Sequence, residues 1–162
     1  SLATLTGGSG SVALLLTDGS FGIKGHRLLG GAVQSAPEHH ALCLWNRDFM
    51  RTDATAVLKY GVELGARTWK ALLSNLNWSA GAVDKVICHQ VGAGHRAQVL
   101  GAMGIPEVKD YSTFEHLGNI GTVSLPLTAA IADQRQFLIP GDRVAFLGIG
   151  SGLNCLMLGW QW

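Results

Sequence analysis

The stretch RVAFLGIGSGLNCLMLGW, residues 143–160, decides between two α/β architectures. Its Gly148-Ile149-Gly150-Ser151-Gly152 run after an apolar strand invites a phosphate-binding reading. A dinucleotide site needs a helix N-terminus there to receive the pyrophosphate, whereas a second apolar run occupies that place. Residues 143–149 and 153–160 therefore read as two strands separated by Gly150-Ser151-Gly152. Upstream, residues 122–134 read as a helix in which Pro126 must lie in the first turn or produce a kink. Residues 108–113 read as a strand, and residues 96–103 as a helix stopped by Gly104 and Pro106. Residues 85–88 form a short strand. The longest helix falls at residues 53–76, where Val57, Leu64, Trp69, Leu72, Leu73 and Leu76 keep helical spacing and Thr52 or Asp53 can cap the start. A β region lies within residues 30–45, and the apolar run SVALLLT, residues 11–17, reads as a further strand. The order is mixed α/β: a mixed sheet with helices packed on its faces.

The composition narrows the class of ligand. A chain of 162 residues that is 48% hydrophobic and 14% charged has enough apolar material for one domain with one sizeable core. Twelve basic and eleven acidic residues leave a net charge of +1, with the cations scattered. That gives no footprint for nucleic acid or an anionic membrane surface and favours a small-molecule ligand. The three cysteines, Cys43, Cys88 and Cys155, show no CxxC or CxxH spacing, which reads as reduced thiols in a cytoplasmic protein and argues against zinc. No apolar run approaches the ~20 residues needed to cross a bilayer. Twenty-two glycines are about twice the usual share, and they gather beside the strands, as in a site built partly from backbone. The chain opens on Ser1 and moves at once into a glycine-rich turn and a β-type run, so it is expected to be a fragment.

Two side chains stand where such a fold makes sites. His89 follows the strand at residues 85–88, and Asn119 sits in LGNIG, residues 117–121, between the strand and helix expected on either side. Each offers an N–H donor, and two donors converging on one oxygen would stabilise an enolate or a tetrahedral intermediate. Backbone N–H groups of Gly150-Ser151-Gly152 could add a third set. The expectation is therefore that His89 and Asn119 converge beside that turn. Taken singly, a strand-end histidine is more often structural, and an asparagine in a glycine-rich turn is more often a turn former. His26, His39, His40, His95 and His116 have no partner at a recognised metal spacing, so they read as surface or structural residues. Cys88, directly before His89, should face the opposite way into the core.

In order along the chain, GGSGSVALLL, ICHQVG, HLGNIGTVSLP and IPGDRVAFLGIGSGLNC strongly resemble the C-terminal half of β-ketoacyl-ACP synthase III type enzymes of the thiolase superfamily. Among these, LGIGSGLNC with HQVG and GNIG is most similar to the branch that joins two fatty acyl-CoA molecules head to head. One departure is that synthase III proper usually reads HQAN where this chain has His89-Gln90-Val91-Gly92, so the second amide of that motif is absent. The resemblance implies a thiolase-like fold, with residues 1–20 as the last strand region of a missing N-terminal half and residues 21–162 as the C-terminal domain. It implies catalytic roles for His89 and Asn119, an oxyanion contact from the Ser151 backbone, and substrate-binding positions at Gly150 and Gly152. The nucleophilic cysteine would belong to the absent half. The implied reaction is a Claisen condensation of acyl-CoA or acyl-ACP thioesters by a homodimer, with no metal or redox cofactor. The alternative is a non-catalytic structural or regulatory thiolase-like subunit.

Overall fold

The computed structural model describes residues 6–22 and 24–162. In chain order the strands and helices are β1 (Arg27–Ser35), β2 (Cys43–Trp45), β3 (Met50–Thr52), α1 (Ala54–Leu76), β4 (Lys85–Cys88), α2 (Ala93–Met103), α3 (Phe114–Leu117), α4 (Ser124–Gln134), β5 (Arg143–Gly150) and β6 (Asn154–Gln161). Four strands form one sheet in the order β1-β6-β5-β4, and β2 pairs with β3 as a separate antiparallel hairpin. Within the main sheet β6 runs antiparallel to both β1 and β5, whereas β4 and β5 are parallel. The sheet is therefore mixed, as the sequence indicates.

Strands β4 and β5 are covered on both faces, and the alternation along them shows how. Val86, Cys88, Ala145 and Leu147 enter the core shared with Leu64, Leu72, Leu100 and Met157, while Ile87, Val144 and Phe146 enter a second core with Ala129, Ala132 and Leu138. Successive side chains of a strand point to opposite faces, so continuous apolar strands such as VIC and VAFL require a layer on each side. Helix α1 supplies the first layer. Its buried positions Leu64, Thr68, Trp69 and Leu72 recur at helical spacing. Asp53 starts it by accepting the Ala56 N–H at 3.0 Å, and Asn77 ends it in the left-handed region. Each fully buried Leu or Val contributes on the order of 1.5–3 kcal/mol of burial. Helix α4 covers part of the other face, with Pro126 in its first turn, where a missing N–H breaks no helical bond.

Three sequence expectations are corrected. Residues 11–17 form no strand: Leu14, Leu15 and Leu16 are exposed, and no described strand lies alongside them. An apolar run has β propensity, but a ladder needs a partner to satisfy its backbone groups. Residues 1–5 of the 1–20 segment lie outside the described residues. Residues 108–113 likewise give no strand; after Pro106 the chain makes a 3-10 turn at Glu107–Lys109 and touches β4 through one parallel bridge, Val86 with Asp110. The β region of residues 30–45 divides into β1 and β2, separated by a 3-10 turn at Pro37–Leu42.

Candidate active site

Because β4 and β5 are parallel, their carboxyl ends reach the same end of the sheet. His89 leaves β4 there, its backbone N–H donating to the Leu147 carbonyl at 2.9 Å, and Gly150-Ser151-Gly152 begins three residues beyond Leu147. A Cβ placed on Gly148 would lie 3.1 Å from Leu125 Cδ1, so the start of α4, which follows the Asn119 loop in the chain, is at this end too. The topology thus brings His89 and the glycine turn to one end of the sheet, with the start of α4 beside them.

His89 lines a cleft of about 330 Å3 with Cys88, Gln90, Arg96, Asp110 and Phe114. Burial, together with the nearby His95, pushes its imidazole down to a pKa of about 4. At neutral pH the ring is uncharged, with one nitrogen a donor and the other an acceptor. Neither Asn119 nor the glycine turn is among the residues that line this cleft. Asn119 follows the short helix α3 rather than a strand. Its Oδ1 accepts the Gly121 N–H at 3.0 Å, which leaves the Nδ2 amide as the donor end of the side chain. The loop is pinned by the Asn119 N–H to the Thr6 carbonyl (2.8 Å) and by the Gly8 N–H to the Asn119 carbonyl (2.9 Å). Gly118 has φ +65°, and a Cβ there would run into the Thr6 carbonyl, so a side chain at this position would push Asn119 out of place.

The β5–β6 turn is braced by side chains. Asn154 Nδ2 donates to the Ser151 carbonyl at 3.1 Å, and Asn154 Oδ1 accepts the Ser35 hydroxyl at 2.7 Å. Gly152, at φ +131°, leaves room for that amide, since a Cβ would lie 2.5 Å from Asn154 Nδ2. Ser151 itself is exposed.

The residue that composition and spacing did not single out is Gln90. It is buried, and its amide donates to Thr113 Oγ1 (2.9 Å) and Thr128 Oγ1 (2.8 Å) while accepting the Thr113 N–H (2.7 Å) and the Ser112 hydroxyl (3.0 Å). All its polar groups are used, and one side chain ties the residue after His89 to α4 and to the start of the Asn119 segment. Its position directly after the histidine was the available signal.

Three of the other histidines are placed apart. His26 stacks on Trp162 and His39 on Tyr60, and His40 Nδ1 lies 3.0 Å from the Pro37 carbonyl. His95, in the first turn of α2, stands near His89, and His116 lies in α3 next to the cleft-lining Glu115. Among the described residues no three His, Cys, Asp or Glu side chains are grouped to hold a metal ion. Cys88 and Cys155 are buried free thiols whose pKa burial raises, so both are protonated at neutral pH and neither is a ready nucleophile.

The lowered histidine pKa has a measurable consequence. An unfolded histidine titrates near 6.5, so between about pH 6.5 and pH 4 the unfolded chain binds the proton that folded His89 refuses. Stability should therefore fall as pH drops through that window, by up to about 3 kcal/mol from this group. Denaturation of the wild type and of His89→Gln at pH 7 and pH 4.5 checks this. The variant should lose less stability on acidification, and equal losses would contradict the assignment.

A mixed sheet with helices packed on its faces and a histidine at the carboxyl end of a buried strand is the thiolase-like arrangement found in condensing enzymes. The chain belongs to the family of the 3-oxoacyl-[acyl-carrier-protein] synthase III C-terminal domain, whose model matches residues 73–162. It is 58% identical to the acyl-CoA:acyl-CoA alkyltransferase of Shewanella oneidensis over all of this chain and 50% of that protein. To the enzyme of the same description from Xanthomonas campestris it is 37% identical, over 99% of this chain and 48% of the relative. Among solved structures, Xanthomonas campestris OleA, crystallised as a cysteine-to-serine variant with bound lauric acid and lauroyl-CoA, superposes with a TM-score of 0.80 at 38% identity. The match covers 85% of this chain and 41% of that one. The chain spans about half the length of the curated relatives it matches. These findings agree with the family read from the sequence motifs.

Proposed function

We propose that this chain is the C-terminal half of an acyltransferase that joins two acyl thioesters by Claisen condensation, and that it works with an N-terminal half bearing the nucleophilic cysteine. The observation that carries the reading is His89: an uncharged imidazole at the end of a buried strand, on the wall of a cleft, is suited to donate a hydrogen bond to an oxyanion. In the first stage the cysteine attacks one acyl thioester as its thiolate, and the carrier leaves as a thiol with the proton that the cysteine gave up. The oxyanion of that step is held by backbone N–H groups including that of Ser151, with Gly150 and Gly152 giving the turn its shape. In the second stage the other thioester gives up an α-proton, which ends on the cysteine thiolate expelled when the new carbon–carbon bond forms, and becomes a carbon nucleophile, its enolate oxygen held by His89 Nε2–H and Asn119 Nδ2–H. Carbon–carbon bond formation expels the cysteine thiolate and leaves a β-ketoacyl product. No net oxidation or reduction separates the two thioesters from the β-ketoacyl product and the free thiol, so the reaction needs no redox cofactor, and hydrogen-bond donors take the place a metal would have at the enolate oxygen.

The names of the relatives support CoA as the carrier. The exposed Leu14, Leu15 and Leu16, together with the cross-strand pair Val33 and Leu156, support packing against a further half and assembly as a homodimer. Free cysteines support a cytoplasmic setting, and no helix among the described residues is long and apolar enough to cross a membrane. The test is to supply the full-length protein with a long-chain acyl-CoA and look for a β-keto product of summed chain length. Release of free fatty acid alone, or no turnover, would overturn the condensation reading.

A further inference from the structure

We propose that Asp110, held by Arg96, is a positioning residue for His89, acting through the backbone N–H of Cys88. This inference rests on the condensation reading given above. Strand β4 is the edge of the sheet, and on its outer side one bridge, Val86 with Asp110, stands in for a neighbouring strand. The Tyr111 N–H reaches the Val86 carbonyl at 3.4 Å, and there the ladder stops. In a continuing ladder the Cys88 N–H would find a backbone carbonyl; here it donates to Asp110 Oδ1 at 3.2 Å. A buried N–H without an acceptor costs about 1–3 kcal/mol, so the carboxylate substitutes for the missing strand at the last residue before His89.

The carboxylate is itself fixed. Arg96 Nε donates to Asp110 Oδ2 at 2.5 Å, and Nη2 donates to the carbonyls of Asp110 (3.0 Å) and Glu107 (3.2 Å). The Asp110 side chain is 1% exposed, whereas that of Arg96 is 29% exposed and also reaches Glu107 at 3.7 Å. Burial raises the Asp110 pKa, and the Arg96 guanidinium together with the hydrogen bonds from Cys88 opposes that rise. Asp110, Arg96 and His89 line the same cleft. His89 is thereby held from three directions: Leu147 through its own N–H, Asp110 through the preceding residue, and Gln90 through the following one. A donor aimed at an oxyanion loses much of its value when displaced by 1 Å, which is why such bracing bears on catalysis.

The experiment compares Asp110→Ala with Asp110→Asn in the full-length protein and measures the two stages separately. Intact mass reports acylation of the cysteine, and product analysis reports condensation. Asp110→Ala should lower condensation at least tenfold and leave acylation within twofold of wild type. Asp110→Asn keeps an oxygen facing the Cys88 N–H and should stay within threefold in both stages. Normal condensation by Asp110→Ala, or equal loss of both stages, would overturn the proposal, the second because it marks a merely structural residue. If Asp110→Ala does not fold, Arg96→Met takes its place, with the same selective loss of condensation expected and equal loss again counting against. Should the wild type form no condensation product, the functional reading itself has failed. The positioning claim is then read from the His89 imidazole resonances, which Asp110→Asn should leave as in wild type and Asp110→Ala or Arg96→Met should shift or split; unchanged resonances would refute it.

Discussion

His89→Ala and Asn119→Ala are expected to stop condensation in the full-length enzyme while acyl transfer onto its cysteine continues. Each substitution removes one of the two side-chain donors proposed for the enolate oxygen, and losing such a donor typically lowers the rate by about 10²–10³, roughly 3–4 kcal/mol of transition-state stabilisation. In the proposed mechanism the first oxyanion relies on backbone N–H groups, including that of Ser151, which neither substitution touches. The step that fails is therefore the one in which the lost donor acts, and acyl-enzyme should accumulate. Intact mass after mixing with an acyl-CoA would show the added acyl group, and product analysis would show no β-keto species. Failure to acylate would move His89 into the first stage, as the group that activates the cysteine. Normal product from both variants would defeat the mechanism.

The largest expected effect on stability comes from Gln90→Leu. Leucine fills much of the volume but leaves the Thr113 N–H without its 2.7 Å acceptor and removes three further hydrogen bonds in a buried setting. The Thr113 and Thr128 hydroxyls keep each other at 2.8 Å, which limits the damage. A loss of about 3 kcal/mol is expected from one orphaned buried donor together with bonds worth about 1 kcal/mol each. Urea denaturation checks it: a midpoint shift at unchanged slope is the expected form, and a loss below about 1 kcal/mol would show that Gln90 is not the hub its contacts describe. Because Gln90 adjoins His89 and ties in the Asn119 segment, condensation should weaken in the same variant.

Much of this architecture is written in local pattern. Val86-Ile87-Cys88 between a turn and a glycine marks β4, the recurring Leu and Trp positions mark α1, and RVAFLGIGSGLNCLMLGW marks β5, its turn and β6, because each signal is complete within its own stretch. The ordered motifs around His89, Asn119 and the glycine turn likewise indicate the family from sequence alone. What only the tertiary structure decided concerns pairing. SVALLLT and VKDYST have strand character, yet strand formation depends on a neighbour that local sequence does not contain, and neither stretch forms a strand here. The same reason hides the supports of the site. Gln90 meets Thr113 and Thr128 across 23 and 38 residues, and Asp110 meets the Cys88 N–H across 22. Hydrogen bonds of that span leave no periodicity in the sequence; they exist because the edge of β4 and the packing of α4 leave buried polar groups that some side chain has to satisfy.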